Sequence, residues 1–181
     1  MERTVITPAS FDGVALDELK AWLGISRTGE DALLTDLLAA SAAMCEAFTG
    51  QTSIEQTVEE TVPALPTPQP LSTRPIQSIA SAESVSSDGT RSPLDLAELD
   101  IEFDPNRAMC IAPIASVDAK SIALTVRAGL APDWTSLPKP LKQGIIRLAA
   151  FHYRDRESGD GGPPPASVAA LWRPWRVMRL A

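Results

Sequence analysis

The stretch EDALLTDLLAASAAMCEAFTG, residues 30–50, decides how this chain folds. Its large apolar side chains recur at steps of three and four, which places them in one stripe along a helix. Alanines beside that stripe allow a neighbouring element to approach closely, and Gly50 is a favourable residue for ending a helix. The sequence therefore predicts a helix over residues 30–49 that packs into a core.

Two further helices are predicted, one on each side of this segment along the chain. Residues 16–24 place leucines and Trp22 on one face and end at a glycine. Residues 139–156 begin at a pair of prolines, which are favoured in the first turn, and continue with a leucine and isoleucine stripe that includes His152. The chain thus contains about three strong helices.

The middle of the chain, residues 54–128, is rich in strand signals. Threonine and valine partly alternate over residues 54–62, and isoleucine, leucine and valine alternate clearly over residues 121–128. A Ser-Ser-Asp-Gly turn signal stands at residues 86–89, and the acidic stretch 94–104 predicts an irregular excursion into a strand. The fold class is therefore α+β: a bundle of three to four helices with a small antiparallel sheet.

Length and composition limit the number of domains and their setting. The 181 residues suit a single body over residues 1–158, a glycine- and proline-rich linker over 159–165, and a C-terminal helix or arm over 166–181. Apolar residues make up 44%, but no apolar run reaches the roughly 18 residues that a membrane crossing needs. The start has no basic-then-apolar signal layout. We therefore expect the protein to function in a cytosol, or in a particle assembled there, and to have no membrane partner.

Charge is distributed unevenly along the chain. Residues 1–119 carry 6 Lys/Arg against 19 Asp/Glu, and residues 120–181 carry 10 Lys/Arg against 4 Asp/Glu. The net charges of these parts are −13 and +6, which give −7 for the whole. The acidic part repels a phosphate backbone, whereas the basic part can seek an acidic protein surface or nucleic acid.

No catalytic constellation is visible in the sequence. The chain has one histidine, His152, and two separate cysteines, of which Cys45 falls on the apolar face of the 30–49 helix. A buried thiol is the simpler interpretation of Cys45 than a nucleophile paired with His152. No phosphate loop, dinucleotide fingerprint, nucleophile elbow or clustered metal ligands occur. We therefore predict that the protein is not an enzyme and has no cofactor or metal.

The C-terminal segment interleaves tryptophan with arginine. Such a segment can anchor a protein interface, fold back onto its own core, or stack on bases, and we weigh these in that order. The residues concerned are Trp172, Arg173, Trp175, Arg176, Val177 and Arg179.

The order of these motifs resembles one known family, the head–tail connector or adaptor proteins of long-tailed phages and related gene transfer agents. Two features depart from the family pattern: Ala15 stands where a serine or threonine cap is common, and residues 94–104 have no counterpart. The similar segments are VALDELKAWLGI (14–25), EDALL (30–34) with AFTG (47–50), RPIQSI (74–79) with DG (88–89), AG (128–129) with LPKPLKQ (137–143), FHYRDRE (151–157) and LWRPWRV (171–177).

The resemblance implies a mechanical role. Adaptor subunits form a ring of about twelve copies beneath the portal, extend the channel for passing double-stranded DNA, and present a docking face to a stopper or tail-completion protein. The expected location is the head–tail interface of a virion or virion-like particle assembled in the bacterial cytoplasm.

Two contact hypotheses follow, with one alternative function. The six C-terminal residues named above are expected to dock on the portal, with both tryptophans as apolar anchors. The alanine-rich side of helix 30–49 is a candidate ring contact, although packing within the chain is the simpler interpretation. The alternative is a small regulatory or nucleic-acid-binding protein with a basic Trp/Arg tail.

Overall fold

The computed structural model describes residues 2–11, 13–103, 109–115, 119–155 and 163–177. The chain divides into two compact units. Unit 1 comprises residues 1–8 and 55–129, and unit 2 comprises residues 9–54 and 130–181. Each unit is built from two separate stretches of chain.

Unit 1 consists of two antiparallel sheets. The first has the strand order β1-β2-β8-β4-β5, and the second has the order β3-β7-β6. The strands are β1 (Glu2–Thr7), β2 (Gln56–Pro63), β3 (Gln69–Pro70), β4 (Ile76–Val85), β5 (Arg91–Leu94), β6 (Leu99–Phe103), β7 (Met109–Pro113) and β8 (Ser121–Ala128).

The core of unit 1 is made by inward-facing side chains of both sheets. Val58 and Val62 of β2 and Leu124 of the central strand β8 are fully buried from the first sheet, and Ile111 of β7 from the second. The sequence predicted alternating apolar residues over 54–62 and 121–128. Because alternate side chains of a strand share one face, Val58, Val62 and Leu124 point into this core.

Glu60 is buried on the inward face of β2 between two valines. Its carboxylate accepts hydrogen bonds from the backbone N–H groups of Ser72 and Thr73, at 2.5 and 3.0 Å. The Thr73 hydroxyl in turn accepts from the Arg3 guanidinium at 3.0 Å, which links β1 to this loop. The buried charge therefore organises the connection that follows β3.

Unit 2 is a helical bundle. Its helices are α1 (Val14–Leu23), α2 (Asp31–Thr49), α3 (Lys139–Arg154) and α4 (Ala166–Trp172), followed by a 3₁₀ turn (Arg173–Trp175). Fully buried leucines and isoleucines from α1, α2 and α3 meet Trp172 of α4 in one cluster: Leu19, Leu34, Leu38, Leu141, Ile145 and Leu148. Most of the predicted apolar stripes pack in this core, but Trp22 of α1 and Leu33 of α2 are exposed.

The α2 helix is the central element of unit 2. Gly50 ends it in the left-handed conformation at φ 72°, which a glycine adopts without steric cost. By length and composition alone α2 could cross a membrane, but its leucine face packs into the core of unit 2, as in a core helix of a globular protein. Its alanines divide: Ala42 is buried, whereas Ala39, Ala40 and Ala43 are exposed, so a ring contact there stays a prediction.

The predicted fold class is confirmed, and several details are corrected. Residues 2–7, for which no strand was predicted, form the edge strand β1 against β2. The acidic stretch 94–104 is more regular than expected, because it holds a 3₁₀ turn (Leu96–Glu98) and then β6. The start of the proposed linker, residues 159–162, lies outside the described residues.

Candidate functional site

The catalytic alternatives find no support around Cys45 and His152. The Cys45 thiol is buried in the core, and that burial, with a smaller contribution from the charge of Glu46, raises its pKa to about 12. A thiol of that pKa is protonated at neutral pH and is a poor nucleophile. His152 is half-buried with its ring 5.8 Å from that of Phe151. Among the described residues, no group of three or more His, Cys, Asp or Glu side chains could hold a metal ion.

The candidate site is the C-terminal segment, residues 166–177. Pro165 precedes α4, and the 3₁₀ turn Arg173–Trp175 follows it directly. Trp172, the last residue of α4, is fully buried, and its indole Nε1–H donates to the Leu141 carbonyl oxygen at 3.4 Å. The segment therefore folds back onto unit 2 and is fixed by one large aromatic side chain.

Gly144 of α3 makes room for that indole. A Cβ atom at this position would lie 2.1 Å from Nε1 of Trp172 and 2.7 Å from Cε2. Since a non-bonded contact that short does not occur, the glycine is required by the close approach of the ring rather than by its backbone conformation. The sequence signal for this contact is a glycine inside a strong helical pattern, and the contact was not predicted.

The segment after Trp172 is held by the end of α2. The Val177 N–H donates to the Thr49 carbonyl at 2.8 Å, and the Gln51 side-chain amide donates to the Trp175 carbonyl. The Phe48 ring lies 5.9 Å from the Trp172 ring, and the Arg176 guanidinium lies 5.7 Å from the Phe48 centroid. Residues 173–177 are thus anchored through their backbone, while their basic side chains point outward.

The structure describes five of the six predicted site residues, and they differ in exposure. Arg173 and Arg176 are exposed, and Trp175 and Val177 are half-buried. Trp172, predicted to be an apolar anchor on the portal, is instead buried in the core of unit 2. Arg179 lies outside the described residues. Three alternatives were considered for this segment: a protein interface, folding back onto the core, and stacking on bases. Residues 166–177 fold back onto the core of unit 2.

What the site can do chemically is bind rather than catalyse. Arg173 begins the 3₁₀ turn and Arg176 follows it directly. Each guanidinium can donate paired hydrogen bonds to carboxylates or phosphates. The cation–π contact of Arg176 with the Phe48 ring restricts the orientation of the Arg176 guanidinium.

Comparison with solved structures shows which known proteins share this fold. No protein-family model matches the chain, and no curated protein matches it. Among solved structures, a chain in the neck of an empty gene transfer agent (GTA) particle, computed with C6 symmetry, matches with a TM-score of 0.81 at 23% identity, over 100% of this chain and 98% of that chain. The chain has the fold of a GTA neck protein.

Two further structures agree with the first. The virion of a native GTA particle and the neck of a native GTA particle computed with C12 symmetry each match with a TM-score of 0.79 at 23% identity, again over 100% of this chain and 98% of theirs. The gene-transfer-agent resemblance stated from the motifs is confirmed at the level of the fold.

Proposed function

We propose that this protein is a structural head–tail adaptor. In this proposal its copies form a ring between the portal and a stopper or tail-completion protein, in the neck of a virion-like particle. The observation that carries the proposal is the fold likeness over the whole chain, at TM-scores of 0.79–0.81, to a chain found in GTA necks. The likeness covers 100% of this chain, so it includes both units, and this supports a shared role in the neck.

A ring requires that one surface of a subunit bind a different surface of the next. The similar neck structures were computed with C6 and C12 symmetry, which supports about twelve copies for a ring of this chain as well. The ring would extend the DNA channel that begins at the portal.

The charge of unit 1 suits a conduit for DNA. This unit contains twice as many acidic as basic side chains. Carboxylates repel phosphates, so such a surface lets the duplex pass without holding it. A DNA clamp would need the opposite balance.

Portal docking belongs, in this proposal, to the exposed part of the C-terminal segment. Arg173 and Arg176 supply charge, and the half-buried Trp175 and Val177 add apolar area beside them. Arginine and tryptophan are enriched among the residues that dominate binding energy in interfaces. The backbone anchors at Thr49 and Gln51 hold this surface in place before binding, which lowers the entropy cost of docking.

The test is a binding measurement with the portal protein of the same particle. Arg173→Glu with Arg176→Glu is expected to weaken portal binding at least about tenfold, or ~1.4 kcal/mol, because charges are reversed at the contact. Arg27→Glu with Lys139→Glu is the matched control, since both residues are exposed in unit 2 and the net charge changes equally. Unchanged portal affinity in the first variant would move the docking surface elsewhere.

The same variants address the nucleic-acid alternative. Burial of Trp172 removes one of the two tryptophan rings that would stack on bases, which disfavours that role. Duplex DNA binding that falls steeply with salt, and that disappears in the Arg173→Glu, Arg176→Glu protein, would favour the alternative over the adaptor.

A further inference from the structure

Unit 2 carries an apolar groove with a basic border, away from Trp172 and the turn that follows it. Its volume is about 530 Å³, and it lies where the end of α1, the last turns of α3 and the start of α4 meet. Side chains that line it include Trp22, Arg147, Phe151, Arg154, Asp155 and Val168.

Two large aromatic side chains remain half in solvent at this groove. Trp22 is 46% exposed and Phe151 is 45% exposed, although the sequence analysis placed Trp22 on the apolar face of its helix. The Arg147 guanidinium lies 5.7 Å from the Trp22 ring centroid, in cation–π geometry. With Arg154 and Asp155, the border holds two cations and one anion. Exposed aromatics beside arginines are typical of the centre of a protein interface.

Unit 1 carries a surface of complementary chemistry. On β6, an outer strand of the second sheet, Asp100 and Glu102 are exposed. Phe103 ends this strand at 64% exposure, and Ile114 is 66% exposed. The N–H of Ile114 donates to the Glu98 carbonyl at 2.9 Å, which places it beside the start of β6. We call these four residues, Asp100, Glu102, Phe103 and Ile114, the acidic edge.

We infer that the acidic edge of one copy docks in the Trp22/Phe151 groove of the next copy. Asp100 and Glu102 project from one face of β6 and Phe103 from the other, so β6 enters the groove edge-on. Phe103 then lies between Trp22 and Phe151, and the carboxylates of Asp100 and Glu102 pair with Arg147 and Arg154. This inference rests on the proposed ring and gives it a specific subunit contact.

Three observations favour a second copy as the occupant. Both surfaces pair exposed apolar side chains with charge, and the charges are opposite in sign. The surfaces differ from each other, and a ring needs a head-to-tail contact between unlike patches. A volume of about 530 Å³ falls in the range of real binding pockets and accommodates an aromatic ring with its neighbours. The exposed alanines of α2 offer no comparable charge or aromatic group.

Charge exchange provides the test, with the full chain assembled in the presence of its portal and viewed by electron microscopy. The groove variant is Arg147→Glu with Arg154→Glu, and the edge variant is Asp100→Lys with Glu102→Lys. We expect each variant alone to reduce the fraction of portals carrying a ring at least about tenfold, since like charges then face each other. Mixed in equal amounts, the two should assemble, because a ring with an even number of copies can alternate them. A chain with all four substitutions should also assemble.

The control variant Arg27→Glu with Lys139→Glu should assemble like the unchanged chain. Rings formed by the groove or edge variant alone would overturn the inference while leaving the adaptor proposal in place. Absence of rings with the unchanged chain would overturn both. Failure of the mixture, with each variant folded by circular dichroism, would show that these two surfaces do not meet.

Cross-linking covers the case in which a charge variant does not fold. In a Cys110→Ser background, Phe103→Cys with Phe151→Cys should give a ladder of disulfide-linked dimers, trimers and larger species on the portal. A gel with monomers only would overturn the contact, and so would a disulfide formed within one chain.

Discussion

Gly144→Ala is the substitution that tests most sharply how the C-terminal segment is held. In an exposed helix this change stabilises by about 1 kcal/mol, since alanine has the higher helix propensity. Here the added Cβ would lie 2.1 Å from Nε1 of Trp172. The indole must move, and α4 with it, so the substitution should instead destabilise unit 2.

The magnitude follows from two costs and one gain. Overpacking in a filled core costs about 1–3 kcal/mol. Displacing the indole from the Leu141 carbonyl loses a hydrogen bond worth about 1 kcal/mol, which the gain in helix propensity offsets. The expected net loss is therefore about 1–3 kcal/mol in the free energy of unfolding of unit 2.

A double-mutant cycle with Trp172→Ala supplies the control. Trp172→Ala alone should cost about 3–5 kcal/mol, because a fully buried indole leaves a cavity. In that background Gly144→Ala should stabilise by about 1 kcal/mol, since the Cβ then has space. The assay is urea unfolding followed by far-ultraviolet circular dichroism. Additive effects, or a stabilising Gly144→Ala in the unchanged chain, would refute the packing described for Trp172.

Two further predictions concern buried ionisable groups. Glu60→Ala should lower the free energy of unfolding of unit 1 by about 2–3 kcal/mol, because two backbone N–H groups lose a charged acceptor. Urea unfolding measures this loss. Glu2→Ala, at an exposed position, is the control and should change the stability little. The Cys45 thiol has its pKa raised from 9.0 to about 12 on folding, so the unfolded chain ionises first as pH rises. The stability this thiol provides is present below pH 9 and lost between pH 9 and 12. In a Cys110→Ser variant, thiol labelling at pH 8 should proceed only as fast as unfolding, and fast labelling of the native protein would contradict its burial.

The helices could be predicted because each carries its own signal. The leucine stripe of α2, the stripe of α3 after its paired prolines, and the stop at Gly50 are local features, and the structure keeps them within one or two residues. The strands β2 and β8 were predictable for the same reason, since alternation is visible in a single segment.

Features that depend on distant partners were missed. Residues 2–7 are exposed along their length and become a strand only because β2 offers an unpaired edge some fifty residues away in sequence. Glu60 is inward because the pleat places it between two valines, and its ligands come from a loop beyond β3. Trp172 was predicted to anchor on the portal, since nothing in its own segment shows that Gly144 leaves space for an indole.

The central claim is that copies of this chain build a ring on a portal, and imaging the two proteins together tests it most directly. Electron microscopy of the purified chain mixed with the portal of the same particle should show a closed ring with about twelvefold symmetry seated on the portal. Bare portals beside a chain that stays monomeric at every concentration would contradict the account.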